Sequence, residues 1–169
     1  MSFKRFAISA VVASAAVLSM NAAQAAGSVT GTFNVLLTVQ GKCQISTAAT
    51  DIDFGTLDMG ATTTVLNNTF SVQCTKGTVY SITLSPKNAG ATENSGQMKS
   101  AANDIINYTL HTDLAANTAW GKTSAVGGTS STSSSAPVVF KAYAKVAGNV
   151  VPDVPVGAYK DTVTITVTY

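Results

Sequence analysis

Apolar and polar residues alternate with a period of two along most of this chain, and the first long example stands by itself. From Ser28 to Gln40 the odd positions are Val29, Gly31, Phe33, Val35, Leu37 and Val39. The even positions are Thr30, Thr32, Asn34, Leu36, Thr38 and Gln40. One face is apolar and the other mostly polar, which predicts a strand with a single side to bury. Gly41-Lys42 ends the pattern, two residues before the first cysteine.

The same period recurs downstream. Asp51 to Gly55 reads as a short strand closed by a glycine turn. Leu66–Cys74 and Val79–Ser85, joined at Lys76-Gly77, predict a hairpin with Phe70, Val72, Ile82 and Leu84 inward. Pro86 ends it, because proline has no N–H for a ladder. A polar connection follows, with a short edge strand near Gln97–Lys99, and then an inward face of Ile106, Tyr108 and Leu110. Leu114 to Ala136 is a long excursion whose end, Gly127 to Ser135, is polar enough to predict a mobile tip. Val138–Val146 puts Phe140, Ala142, Ala144 and Val146 inward, and Val151–Gly157, with two prolines, reads as a loop. Asp161–Tyr169 alternates four threonines with Val163, Ile165, Val167 and Tyr169. Short strands at regular spacing, with no helical period after residue 25, predict an all-β sandwich. A bare strand edge is sticky. Either the N-terminal strand closes its own sheet, or closure comes from a partner.

Composition sharpens this picture. Lys4 and Arg5, an apolar run from Phe6 to Met20 and Ala23-Gln24-Ala25 predict a cleaved export signal over 1–25. Removing 25 of 169 residues leaves 144, enough for one domain with a core. Losing Lys4 and Arg5 takes the 10 basic residues to eight, against eight acidic ones, so the full chain's basic balance gives no reason to expect nucleic acid. Only 11% of residues are charged, against about 25% in an average soluble protein. A neutral surface resists association weakly, which suits a polymer or coat component. In an exported chain, Cys43 and Cys74 favour a disulfide closing a loop of about 30 residues.

Candidate chemistry is sparse. Two cysteines without a histidine partner make a poor zinc site, and no metal or other cofactor is expected. His111, the single histidine, falls on the outward phase of its strand and reads as a solvated surface residue. Its neighbour Asp113 lacks a serine in a nucleophile-elbow motif. Glu93 is the sole glutamate, and Asp51 and Asp53 fit turn or strand-end roles. No catalytic residue is assigned. Trp120-Gly121 reads as a tryptophan anchoring its loop onto the sandwich.

These elements, in this order, resemble the subunits of archaic chaperone–usher pili that carry a spore coat protein U domain. The residues that carry the resemblance run from Phe33-Asn34-Val35 and Lys42-Cys43-Gln44-Ile45 through Ile52-Asp53-Phe54-Gly55 and Val72-Gln73-Cys74. They continue with Ile106 to Leu110, Trp120-Gly121 and the terminal Gly157 to Val167. The resemblance implies an incomplete immunoglobulin-like sandwich, residues 41–169, completed by donor-strand exchange. On that basis 26–40 is the donor strand, with Val29, Phe33, Val35, Leu37 and Val39 as plugs and Gly31 as a notch. Val163, Ile165, Val167 and Tyr169 line the edge strand of the acceptor groove. The implied partners are neighbouring copies of the chain, a periplasmic chaperone, an outer-membrane usher and a tip adhesin subunit. The implied location is the periplasm in transit and then an extracellular pilus serving attachment and biofilm formation. The competing expectation is a self-complete secreted coat or binding module.

Overall fold

Period-two segments become strands here wherever their apolar side meets another sheet. The computed structural model describes residues 26–130, 136–147 and 151–169. The proposed export signal (1–25) and the serine-rich end of the expected tip (131–135) lie outside the described residues. Among the described residues the elements are eight strands: β1 (Cys43–Thr47), β2 (Leu66–Cys74), β3 (Val79–Pro86), β4 (Ser95–Lys99), β5 (Ile105–His111), β6 (Val126–Thr129), β7 (Val138–Val146) and β8 (Val163–Thr168). They form two antiparallel sheets, one in the order β1-β2-β7-β5-β4 and the other β6-β3-β8. Phe70, Val72, Leu110, Ala142 and Ala144 from the large sheet share one buried core with Ile82 and Leu84 from the small one. The fold is an all-β sandwich.

Several expectations are corrected. β2 and β3 are not a hairpin pair. β2 lies between β1 and β7, whereas β3 lies between β6 and β8. The tight turn at Lys76-Gly77 exists, with Thr78 N–H donating to Thr75 O at 3.0 Å, but it carries the chain from one sheet to the other. Residues 51–55 form no strand. Ile52 and Phe54 pack on the core from a loop, and Gly55 N–H turns back to Asp53 Oδ1 at 2.8 Å. The first part of the expected tip is a strand: Val126–Thr129 is β6, paired with Val79–Ile82. A Cβ on Gly127 would stand 2.1 Å from Tyr80 O, so the missing side chain permits the approach. Ser130 continues the ladder, accepting from Gly77 N–H and donating to Thr78 O, both at 2.8 Å.

Two further findings concern local covers. Cys43 and Cys74 are disulfide-bonded and both are buried, tying β1 to β2. Trp120 is 1% exposed, donates its indole N–H to Ile82 O at 2.9 Å, and packs with Phe70 and Phe140. It anchors its loop, as expected. Glu93 holds the next residues: Thr123 and Ser124 each donate a backbone N–H and a hydroxyl to its carboxylate.

Residues up to Leu37 make a unit of their own, distinct from Thr38–Tyr169. From residue 26 to residue 42 there is no strand, contrary to the alternation. Val29 is 101% exposed and Phe33 87%. Backbone alternation prepares a strand, but ladder hydrogen bonds require a neighbouring strand.

Candidate functional site

A sheet edge is a site of association unless it is short, bulged or covered. The sandwich has four edges. β1 is five residues long and carries an irregularity between Ile45 and Thr47. β6 has four residues. β4 is partly covered, because Gly90 N–H donates to Ser95 O at 2.9 Å and Gln97 N–H to Asn88 O at 2.8 Å. β8 differs. It pairs with β3 over Val163–Thr168 in continuous register, and among the described residues no strand occupies its other side.

The space under that edge is also incompletely filled. Val163, Ile165 and Val167 point inward but are only half-buried, whereas Ile82 and Leu84 on the neighbouring strand are sealed. A cavity of about 690 Å³ lies beside them, lined by Leu84, Leu110, Ala142, Ala144 and Ile165 together with the 49–54 loop. The two alanines are the local cause: their short side chains leave the space above β7 open. A second cavity of about 670 Å³, bounded by 52–59 and 151–159, shares Phe54, Met98 and Tyr159 with the first. Of the expected edge residues, Val163 and Ile165 line the first cavity, while Val167 lies on β8 and lines neither cavity. Tyr169 falls outside: β8 ends at Thr168 and Tyr169 is 59% exposed.

The start of β8 is fixed by polar contacts that sequence reading missed. Asp161 accepts from Tyr108 OH at 2.8 Å, from Asn88 Nδ2 at 2.9 Å and from Asn88 N–H at 3.1 Å. Burial, and then the Asp161 carboxylate, push the Tyr108 phenol well above its ordinary pKa. Tyr108 reaches Asp161 across Gly96, where a Cβ would stand 2.3 Å from the ring. An Asp two residues before a strand, with a Tyr and a Gly in phase on other strands, is a signal visible only with the topology known. Asn68, inward on β2, donates to Thr50 O at 3.1 Å, while its Oδ1 is buried without a partner.

The candidate catalytic groups are not gathered here. His111 lines neither cavity. It is 9% exposed rather than solvated, with Nε2 against Thr109 Oγ1 at 2.8 Å. Ala119 pairs beside it through an isolated bridge, so the chain that follows β5 returns alongside its end. Burial holds its pKa below the ordinary histidine value despite Asp113 nearby. Among the described residues, no three His, Cys, Asp or Glu side chains cluster as a metal site.

The geometry can be set against known proteins. The Spore Coat Protein U domain matches residues 29–166. Protein U of Myxococcus xanthus is 32% identical over 177 residues, covering 96% of this chain and 97% of that protein. Among solved structures, a chain of the CsuC–CsuE chaperone–tip adhesion subunit pre-assembly complex, from archaic chaperone–usher Csu pili of Acinetobacter baumannii, is similar with a TM-score of 0.53 and 24% identity. That match covers 78% of this chain and 40% of the other, and the likeness is one of fold. Because the domain match runs from the N-terminal alternating segment through most of β8, the chain belongs to the Spore Coat Protein U domain family.

Proposed function

We propose that this protein is a structural subunit of an archaic chaperone–usher pilus, polymerising when residues 27–39 of one copy enter the groove beside β8 of the next. The observation that carries the reading is the bare β8 edge above a partly empty core, in a chain that also bears an exposed alternating segment. Strand addition draws affinity from main-chain hydrogen bonds and specificity from alternate side chains. Val29, Phe33, Val35, Leu37 and Val39 are the plugs, each contributing roughly 1.5–3 kcal/mol when buried, before ordering costs. Gly31 leaves a gap between the first two. Head-to-tail donation does not close on itself, so it extends into a filament. A chaperone strand fills the same groove in the periplasm, an usher passes the subunit outward, and a tip adhesin subunit ends the fibre. Attachment and biofilm formation are the roles such a fibre serves.

Deleting residues 27–39 tests this. The expected result is loss of fibres in electron micrographs and of detergent-resistant ladders on electrophoresis. Fibres or ladders formed without the segment would refute strand donation.

A further inference from the structure

The eight strands contain three charged side chains, Lys99, Lys141 and Lys145, and no carboxylate. All three lie on the outer face of the five-stranded sheet, as the register shows: Lys141 is opposite Thr69, Lys145 opposite Thr109 and Lys99 opposite Ile105. The outer face of the small sheet carries none, its positions being filled by Ser81, Thr83, Ser85 and the threonines of β8. A chain whose export-processed form has balanced charge therefore sorts its strand charges onto one plane. Lys141 and Lys145 flank Tyr143 on β7, with Asn67 beside the ring on β2 and His111 on the other side. Among the described residues neither lysine has an ion-pair partner. Asp113, near the His111 end, is occupied by the N–H groups of Asn117 and Thr118 at 3.2 and 2.8 Å. Asp104, near the Lys99 end, accepts from Ser100 Oγ.

We infer that this face binds an extended anionic polysaccharide. The two lysines on β7 are separated by four residues, about 13 Å along an extended strand. That spacing lets the two lysines meet carboxylates a few sugars apart on a chain that carries them repeatedly. It is sparse beside double-stranded DNA, with one charge per about 1.7 Å of axis. Between the charges lie the polar side chains of Asn67, Thr69 and Asn107, all exposed, which can donate to and accept from sugar hydroxyls, while the Tyr143 ring offers an apolar surface. The plane is broad and lines neither of the two cavities described above, so it fits a polymer laid across strands rather than a small ligand. The inference does not need the assembly reading. In a fibre the face would recur once per copy and weak contacts would sum.

The test passes the full secreted chain, in its natural state of assembly, over matrices bearing polygalacturonate, neutral dextran or double-stranded DNA. Retention on polygalacturonate alone, weakening as salt rises, is expected. The double variant Lys141→Gln/Lys145→Gln should lose about fivefold in retention, with unchanged thermal melting. Tyr143→Ala should lose less, and Thr83→Gln on the opposite face nothing. Equal retention of the double variant, equal retention of the parent on DNA, or none on polygalacturonate would overturn the inference. Electrophoretic ladders, read on the same samples, report assembly separately.

Discussion

Along one pair of strands the molecule changes from sealed to unfinished within four residues. At the register position Phe70–Phe140, the rings lie 5.7 Å apart, with Trp120 packed against both and Tyr80 edge-on to Phe140. At the next inward positions, Asn68–Ala142 and Leu66–Ala144, side-chain volume falls away and the cavity begins. The first region has its own lid, the Trp120 loop. The second is covered only in part, by the 49–54 loop that lines the cavity. Protein interiors are close-packed, so a core that stops short of filling along one bare edge is matched to something else. On the proposed reading, what completes this core is a strand added beside β8.

Filling the gap from below should break the difference most severely. Ala142→Phe puts a ring into the cavity where a plug of a neighbouring copy would sit. The expected outcome is a folded subunit by circular dichroism with no detergent-resistant ladder. Overpacking costs about 1–3 kcal/mol where no space exists, and the cavity should keep the cost at the low end. Opening the sealed region is the converse change. Trp120→Ala should lower unfolding free energy in denaturant by about 3–5 kcal/mol, because it removes the core's largest sealed side chain and the bond to Ile82 O. The smallest effect lies at the clamp that holds the Trp120 loop down. Hydrogen bonds from the hydroxyls of Ser124 and Thr123 lower the Glu93 pKa from 4.5 to about 2. The folded value is depressed, so the clamp's contribution is present above pH 4.5 and is lost as pH falls toward 2. Melting curves across that window should slope for the parent and flatten for Glu93→Gln.

Much of this was legible in the residues. β5, β7 and β8 alternate so regularly that their inner faces could be named, and Ile106, Tyr108, Leu110, Ala142 and Ala144 are buried as expected. The edge strand near Gln97 was visible for the same reason. The sheet assignment of β2 and β3 was not, since a tight turn looks alike whether the next strand pairs back or crosses to the other layer. β6 escaped because Val126-Gly-Gly-Thr129 offers a single apolar side chain, and its place depends on a close backbone contact with Tyr80. His111 misled because outward phase predicts exposure only where no other chain lies alongside, and here the segment after β5 returns to pair at Ala119. In the groove, β8's inward residues were foreseen, but the space beneath them depends on Ala142 and Ala144 meeting Asn68 and Leu66 in register. The Asp161–Tyr108 contact joins residues 53 positions apart, beyond any local pattern.

The most direct measurement adds a synthetic peptide with the sequence of residues 27–40 to a chain lacking that segment and follows thermal unfolding. Saturating peptide should raise the melting temperature by well over 10 °C, since a ligand that binds only the folded form at about 1,000 times its Kd adds about 4 kcal/mol. A peptide with Phe33→Asn should give a distinctly smaller rise. A shortened chain that melts at the parent's temperature and ignores the peptide would contradict the claim that β8 awaits a strand from elsewhere.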